Sequence, residues 1–388
     1  GIRMQGSTSA TGLRRTLAAV LAVVTTAGAA IAAEPGVSST EIVIGNTITL
    51  QGGKNAYGTA AHAGMKLYFD ALNAAGGVNG RRIVLRTLDD DNKTATAESN
   101  ARKLVQEGAF ILFGPVEGGP STAVAKVASE LKVPLFGPMA GPPGLRRPLQ
   151  PMVFPVRAEH RDEFRALMGW GKSTGLKTVA FFHSDSEGGR VHAENVRLLA
   201  KELDMELSLT LPAKSELKDD DYEAMVRALL DKKPDMIFNH GSPGPYEKLI
   251  AKSKAAGSKT TFMGVNSGSS QFVKNLGPLS QGMVFAQVVP SPWERKREIA
   301  REYQDAMRLA KLEGDFSYGS LEGYMTAKAL ALALKAAGRE LSRASLVRTL
   351  ESTSFDLGGV KMRHAPTEHE GSRFVDLSMV ARDGRFIH

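Results

Sequence analysis

The sequence predicts an α/β protein of two lobes, each a doubly wound, mostly parallel sheet covered by helices. Three observations carry this prediction. Short apolar runs bounded by turn residues alternate with segments of helical period along most of the chain. Loops rich in Gly, Ser, Asn and Pro follow those runs at 51–58, 114–120 and 138–144, and again at 184–190, 239–245 and 266–270. The chain has 388 residues, too many for one core of ordinary size.

The first unit sets the pattern. Ile42, Val43, Ile44 and Ile48 form a buried-type strand. After a loop carrying Gln51 and Tyr57, Ala63, Leu67, Phe69, Ala71 and Leu72 recur at roughly helical spacing. The run 73–80 stops the helix, with Gly76 or Gly77 as a left-handed cap and Asn79-Gly80 as a turn. Ile83–Leu88 is a second strand and ends at Asp89, Asp90 and Asp91. Two strands joined by a helix imply a parallel pair, and ligands of such sheets sit beyond the carboxyl ends of the strands.

The remaining elements follow in order. Thr94–Glu107 reads as a helix, Ile111–Phe113 as a strand, Thr122–Leu131 as a helix capped by Ser121, and Val133–Gly137 as a strand. A second lobe begins at the helix His160–Gly175. Its expected strands are Thr178–His183, Leu207–Leu211, Met236–Phe238, Thr261–Gly264 and Gly282–Val289. Its expected helices are Val191–Leu203, Asp220–Asp231 and Tyr246–Ala256. Glu294–Lys311, Ser317–Ala337 and Arg343–Ser352 are helical, and Val360–Ile387 mixes short strands with turns.

Composition removes several function classes. There is no cysteine, so disulfides, thiol nucleophiles and Cys-based metal sites are excluded. Arg14-Arg15, the small and apolar run Leu17–Ala33 and the Ala30-Ile31-Ala32 cleavage pattern have the layout of a secretory signal peptide, with Met4 as its expected start. The expected domains are therefore a signal peptide at 1–33, lobe 1 from 34–157 and 289–355, and lobe 2 from 158–288 and 356–388. The formal charge is +8; removing the three arginines of residues 1–32 from the 49 basic side chains leaves 46 against 41 acidic ones, or +5. Those charges are interspersed as on solvated helix faces, and no basic block is interleaved with aromatics, so no nucleic-acid partner is expected.

Four motifs invite chemical readings. His183-Ser184-Asp185 holds the residue types of a catalytic triad, but adjacent in sequence and without a nucleophile elbow; it reads as a strand-end loop. His364 and His369, with Glu368 and Glu370, are separated by Pro366 and do not share a helical face, so a solvated loop is expected instead of a metal site. Gly257-Ser258-Lys259-Thr260 lacks the glycine that a phosphate-binding loop needs before its lysine. Asp219–Asp221 suits the start of a helix. No catalytic residue, metal or cofactor is assigned.

The strand, the loop with Tyr57-Gly58, the helix closing on Ala74-Ala-Gly-Gly-Val-Asn-Gly-Arg81 and the strand ending in Asp89–Asp91 resemble the leucine/isoleucine/valine-binding protein family, the type I periplasmic solute-binding proteins of ABC importers. The resemblance extends over nearly all of 41–388. It implies two Rossmann-like lobes joined by three crossovers, near 156–158, 287–290 and 353–360, and no covalent chemistry. Carried over position by position, the family's first tyrosine matches Tyr57. Its carboxylate-holding serine falls at Gly118, beside Glu117. Its zwitterion grip falls near Ala140 and Gly141, its closing tyrosines at Gly188 and Ser242, its ammonium-pairing acid at Asn266, and its late aromatic near Tyr318 or Gly319. Gln51, Met139, Ser186 and His240, from the same loops, complete the candidate ligand set.

The departures shape the expected ligand. Hydroxyls and the carboxylate suited to an α-amino acid are largely missing, and an ammonium at Asn266 would be buried without a partner unless Glu117 compensates. A larger or non-amino-acid solute is expected, an aromatic or aliphatic carboxylate or an amide, its carboxylate held by backbone N–H groups of 117–122 and 139–142. The resemblance implies a monomer exported to the periplasm, with ABC permease subunits as partners. The same clamp used as a periplasmic sensor, or a periplasmic hydrolase, are the alternatives.

Overall fold

The computed structural model describes Gly6 and residues 34–388; the expected signal peptide lies, apart from Gly6, outside the described residues. From Glu34 onward the chain forms one compact unit built on two sheets. In chain order the first lobe begins with β1 (Glu41–Ile48), α1 (Ala56–Ala74), β2 (Arg82–Asp89), α2 (Thr94–Gln106), β3 (Ile111–Phe113), α3 (Gly118–Leu131), β4 (Leu135–Phe136) and β5 (Val153–Phe154). These strands form an all-parallel sheet of order β2-β1-β3-β4-β5, and β1 and β2 pair from Glu41–Arg82 through to Ile48–Asp89.

The second lobe runs through α4 (His160–Ser173), β6 (Thr178–Ser184), α5 (Glu187–Glu202), β7 (Glu206–Ala213), α6 (Asp219–Lys232), β8 (Met236–His240), α7 (Pro243–Ala255), β9 (Thr261–Gly264), α8 (Ser269–Leu276) and β10 (Val284–Gln287). The chain then returns to the first lobe as α9 (Glu298–Leu309), α10 (Tyr318–Ala337) and α11 (Arg343–Ser352). It ends with β11 (Phe355–Asp356), β12 (Lys361–Ala365), β13 (Glu368–Gly371), β14 (Asp376–Val380) and β15 (Phe386–Ile387). The second sheet has the order β15-β14-β10-β9-β8-β6-β7, with β14 and β15 antiparallel.

Each sheet is buried on both faces, as parallel sheets are. In lobe 1, Ile42, Ile44, Phe113 and Phe136 pack against α1 and α10 on one face, while Leu112 and Leu135 meet Ala101, Leu104, Val124 and Val127 of α2 and α3 on the other. In lobe 2, Phe181 and Phe238 meet Phe164, Leu167 and Val196 of α4 and α5, and Phe182, Ile237 and Phe285 face Tyr246, Leu249 and Phe272.

The buried face of α1 is not the one its apolar spacing suggests: Ala61, Gly64, Met65 and Phe69 are inside. The reason is backbone contact with α10. A Cβ at Gly64 would lie 1.9 Å from the Ser320 carbonyl oxygen, and one at Gly323 would lie 1.9 Å from that of Ala61. Glycine makes this helix crossing possible, and a pattern of apolar side chains does not register it.

The chain crosses between lobes at 155–159, at 288–297 and at 372–375. The third crossing is later than the expected 353–360, and 356–371 does not join lobe 2. Instead β11–β13 make a small antiparallel sheet, and Val360 and Met362 enter the lobe 1 core. His364 and His369 are buried there, not in a solvated loop. His364 Nε2 bonds the Pro155 carbonyl at 2.7 Å; His369 Nδ1 bonds that of Val153 at 2.8 Å, its Nε2 reaches Glu351 at 2.8 Å, and its ring stacks on Phe154. The α8 turn after β9 had no clear sequence signal. Among the described residues no helix is long and apolar enough to cross a membrane.

Candidate functional site

A cleft lies beyond the carboxyl ends of the strands in both lobes. It consists of two cavities, of about 640 Å³ and about 840 Å³, that share Tyr57, Glu117, Gly241, Pro243, Asn266 and Ser267 in their walls. The first lies between Val116, Glu117, Gly118, Met139 and Ala140 of lobe 1 and Asn239, His240, Val265 and Asn266 of lobe 2. Arg157 and His160, from the first crossover and the start of α4, also line it.

Arg157 is the centre of a buried ionic network and only 3% exposed. Its Nη2 donates to Glu163 Oε2 at 2.9 Å and its Nε to the Ala158 carbonyl at 2.9 Å. Glu163 is fully buried; its Oε2 also meets His160 Nδ1 at 2.8 Å, and its Oε1 accepts the Asn266 N–H at 2.9 Å. Asn266 Nδ2 in turn donates to Tyr57 Oη at 3.1 Å, and the Tyr57 hydroxyl donates to Glu322 of α10. Hydrogen bonds thus run unbroken from α10 through α1 and the loop after β9 to α4 and the crossover. The Tyr57–Asn266 bond spans the two lobes.

Burial governs the protonation of this network. It pushes the carboxyls of Glu163 and Glu322 upward, with the Arg157 charge as the main opposing influence. Burial also works against the Arg157 charge, but Glu163 and then Glu322 outweigh it, so the guanidinium is held charged. The Tyr57 hydroxyl is driven well above its ordinary range by burial and by the Glu322 charge. Glu117 is raised by burial, against a hydrogen bond from Asn55 at 3.4 Å and the Arg157 charge.

Glu117 also has unusual geometry. Its φ of 74° and ψ of 154° are costly for any residue with a side chain, and such strain concentrates at ligand sites. It stands at the N-terminus of α3 without capping it, ahead of Gly118 and Gly119, whose first-turn N–H groups have no intrahelical acceptor.

On the opposite side His160 and His240 line the first cavity, with His192 packed against them behind the wall. The ring centres of His192 and His240 are 3.8 Å apart, those of His160 and His240 are 4.4 Å apart, and those of His160 and His192 are 5.6 Å apart. Burial drives His160 and His240 well below the usual histidine range; Arg157 adds to this at His160, and the neighbouring rings His160 and His192 add to it at His240. Burial, helped by His183, takes His192 down to about 4. All three rings are neutral at neutral pH.

Of the candidates, Tyr57, Glu117, Gly118, Met139, Ala140, His240 and Asn266 line the first cavity, and Ser242 and Tyr318 line the second. Tyr318 is nearly buried, its hydroxyl 2.8 Å from His388 Nε2. Four candidates line neither cavity. The Gln51 amide is bound outside by Asp89 at 2.7 Å and Asp91 at 3.0 Å. Ser186 caps α5 by accepting the Gly189 N–H at 3.1 Å, and Gly188 is exposed in that first turn. Gly141 makes room for His160: a Cβ there would lie 2.8 Å from the ring's Nδ1.

Residue reasoning missed Arg157, His160, Glu163, Asn239 and Glu322. Two signals were present. Arg157, Glu159 and His160 follow the apolar run that leaves lobe 1, and Glu322 is the one acid in the apolar helix α10. Among the described residues His183 Nδ1 meets the Ser184 carbonyl at 2.9 Å and no hydroxyl, so no triad forms at 183–185.

A family model described as periplasmic binding protein matches residues 41–385, and the chain belongs to this family. The Leu/Ile/Val-binding protein BraC3 of Rhizobium johnstonii is 33% identical over 107 residues, which span 28% of this chain and 29% of that protein. The leucine-, isoleucine-, valine-, threonine- and alanine-binding protein of Pseudomonas aeruginosa is 23% identical over 313 residues, 78% of this chain and 81% of that one. A solved structure from Rhodopirellula baltica SH 1, a possible leucine/isoleucine/valine-binding protein, aligns with a TM-score of 0.78 at 24% identity, covering 92% of this chain and 98% of that one. Such structures share the type I periplasmic binding protein fold.

Proposed function

We propose that the protein is the extracytoplasmic solute-binding component of an ABC importer and clamps a small organic carboxylate in the interlobe cleft. The carrying observation is Arg157. Its Nη2 donates to Glu163 and its Nε to Ala158, no hydrogen bond of its Nη1 is found among the described residues, and the residue lines the first cavity. A guanidinium edge recognises a carboxylate with charge-assisted hydrogen bonds. The first turn of α3 faces the same cavity and favours an anion as well. Closure of the lobes, with Tyr57 and Asn266 meeting across the cleft, supports a hinge-clamp cycle that hands the solute to permease subunits. In this reading the exported protein acts as a periplasmic monomer and does not convert its ligand.

Native mass spectrometry of the purified protein, with calorimetric titration of whatever acid co-purifies, tests the reading. A bound carboxylate, released by R157Q, is the expected result. Retention of the same acid in R157Q would remove Arg157 from the site. A bound α-amino acid would keep the clamp and assign Glu117 as the ammonium partner.

A further inference from the structure

The cleft wall of lobe 2 holds hydrogen-bonding capacity that the protein does not use. Asn239 and His240 are consecutive at the carboxyl end of β8, and both line the first cavity. Among the described residues neither makes a side-chain hydrogen bond, and Asn239 is only 3% exposed, with Oδ1 fully buried. His160 commits its Nδ1 to Glu163, its only side-chain hydrogen bond among the described residues. The cavity face of lobe 2 therefore carries the Asn239 carboxamide, the His240 ring with both nitrogens free of protein partners among the described residues, and the one remaining nitrogen of His160.

We propose that this wall selects a carboxylate whose far end bears a hydroxyl or carboxamide, in preference to an aliphatic side chain. The inference rests on the reading of the cleft as a carboxylate clamp and adds the chemistry of the ligand's other end. The reasoning is one of satisfaction. A ligand that fills the cavity closes the remaining face of His240 and of Asn239, whose Oδ1 is already buried without a partner among the described residues. A methyl or isobutyl group there would leave a buried carboxamide and a neutral imidazole unpaired, which is costly. A hydroxyl or a primary amide donates and accepts at once, and so matches groups that do the same. The opposite wall, with Val116, Met139 and Ala140, suits the apolar body between the two polar ends. Sites built around a ligand hydroxyl reject analogues lacking it far more strongly than apolar pockets sort methylenes.

The test is calorimetric titration of the full chain with two matched pairs, benzoate with 4-hydroxybenzoate and hexanoate with 6-hydroxyhexanoate, and with leucine. In whichever pair binds, the hydroxylated acid is expected to bind at least about tenfold tighter. In N239L and H240F that ratio is expected to fall towards one. H240N, which keeps a donor and an acceptor, is expected to retain most of the preference; circular dichroism and melting confirm that each variant is folded. Equal or tighter binding of the unhydroxylated acids, leucine binding tighter than either hydroxylated acid, or an unchanged ratio in both N239L and H240F would overturn the proposal. If both members of a pair bind equally and R157Q abolishes both, this inference fails and the clamp stands. If no acid binds, the carboxylate reading falls and takes the inference with it.

Discussion

The two walls of the cleft are made of different material. Lobe 1 presents the first turn of α3 at Gly118 and Gly119 and the apolar side chains of Val116, Met139 and Ala140, with Glu117, Thr122 and Lys126 also in the lining. Lobe 2 presents side-chain heteroatoms, those of His160, Asn239, His240 and Asn266. Between them Arg157 forms the floor, with the fully buried Glu163 paired to it from behind. A backbone anion site and an apolar surface accept many carboxylates. An array of imidazoles and amides accepts few. On the proposed reading, the difference would place anchoring at the floor and lobe 1, and discrimination in lobe 2.

The largest effect should come from the floor. In R157Q, Glu163 loses the partner that compensates its buried charge, and breaking such a pair costs about 3–5 kcal/mol. Glu163 would then stay protonated, since burial already pushes it upward. The double variant R157Q/E163Q should recover much of the stability, measured by urea unfolding, and none of the carboxylate binding. If the double variant binds the acid as the wild type does, anchoring does not belong to the floor.

Acid should act next on the histidine cluster behind the lobe 2 wall. His192 titrates near 6.5 unfolded and at about 4 folded. A depressed histidine leaves stability intact above about pH 6.5 and removes it as the pH falls toward 4, because the unfolded chain takes up the proton first. The cost reaches on the order of 3 kcal/mol at pH 4. Glu163 and Glu322 act with the opposite sign: their raised folded values favour the native state on acidification and penalise it as pH rises through them. Melting curves of H192Q between pH 7 and pH 4 should therefore be flatter than those of the wild type. Parallel curves would mean that this ring is not held neutral.

Much of this architecture was legible in the sequence, and the illegible part has identifiable causes. Apolar runs bounded by glycine turns marked the strands, and the six loops at their ends marked the cleft. Tyr57, Glu117, His240 and Asn266 sit in those loops and reached it. Gln51 and Ser186 sit in them too, but their side chains are consumed locally, by Asp89 and by the cap of α5. Arg157 and Glu163 escaped notice because their roles depend on pairing across the crossover, which no periodicity encodes. The late third crossover went unseen because β12 and β13 return to lobe 1 through buried histidine contacts to carbonyl groups.

The smallest effect sharpens the comparison furthest. Tyr57→Phe keeps the ring packed on the lobe 1 core and removes only the hydroxyl between Glu322 and Asn266. Glu322 Oε2 already lacks a partner, so the variant leaves the whole buried carboxyl unpaired and the carboxamide of Asn266 without its lobe 1 contact. The loss of a cross-lobe hydrogen bond should weaken the closed state by about 1 kcal/mol, or roughly fivefold in affinity. It should appear in the rate of ligand release more than in the rate of capture. Because the latch touches the lobes and not the ligand's far end, Y57F should weaken each member of a hydroxylated and unhydroxylated pair by the same factor. N239L and H240F should change the ratio within the pair. Stopped-flow release of both acids from the three variants separates the roles. A changed ratio in Y57F would make Tyr57 part of the selecting wall, and an unchanged release rate would mean that the Tyr57–Asn266 bond does not hold the lobes shut.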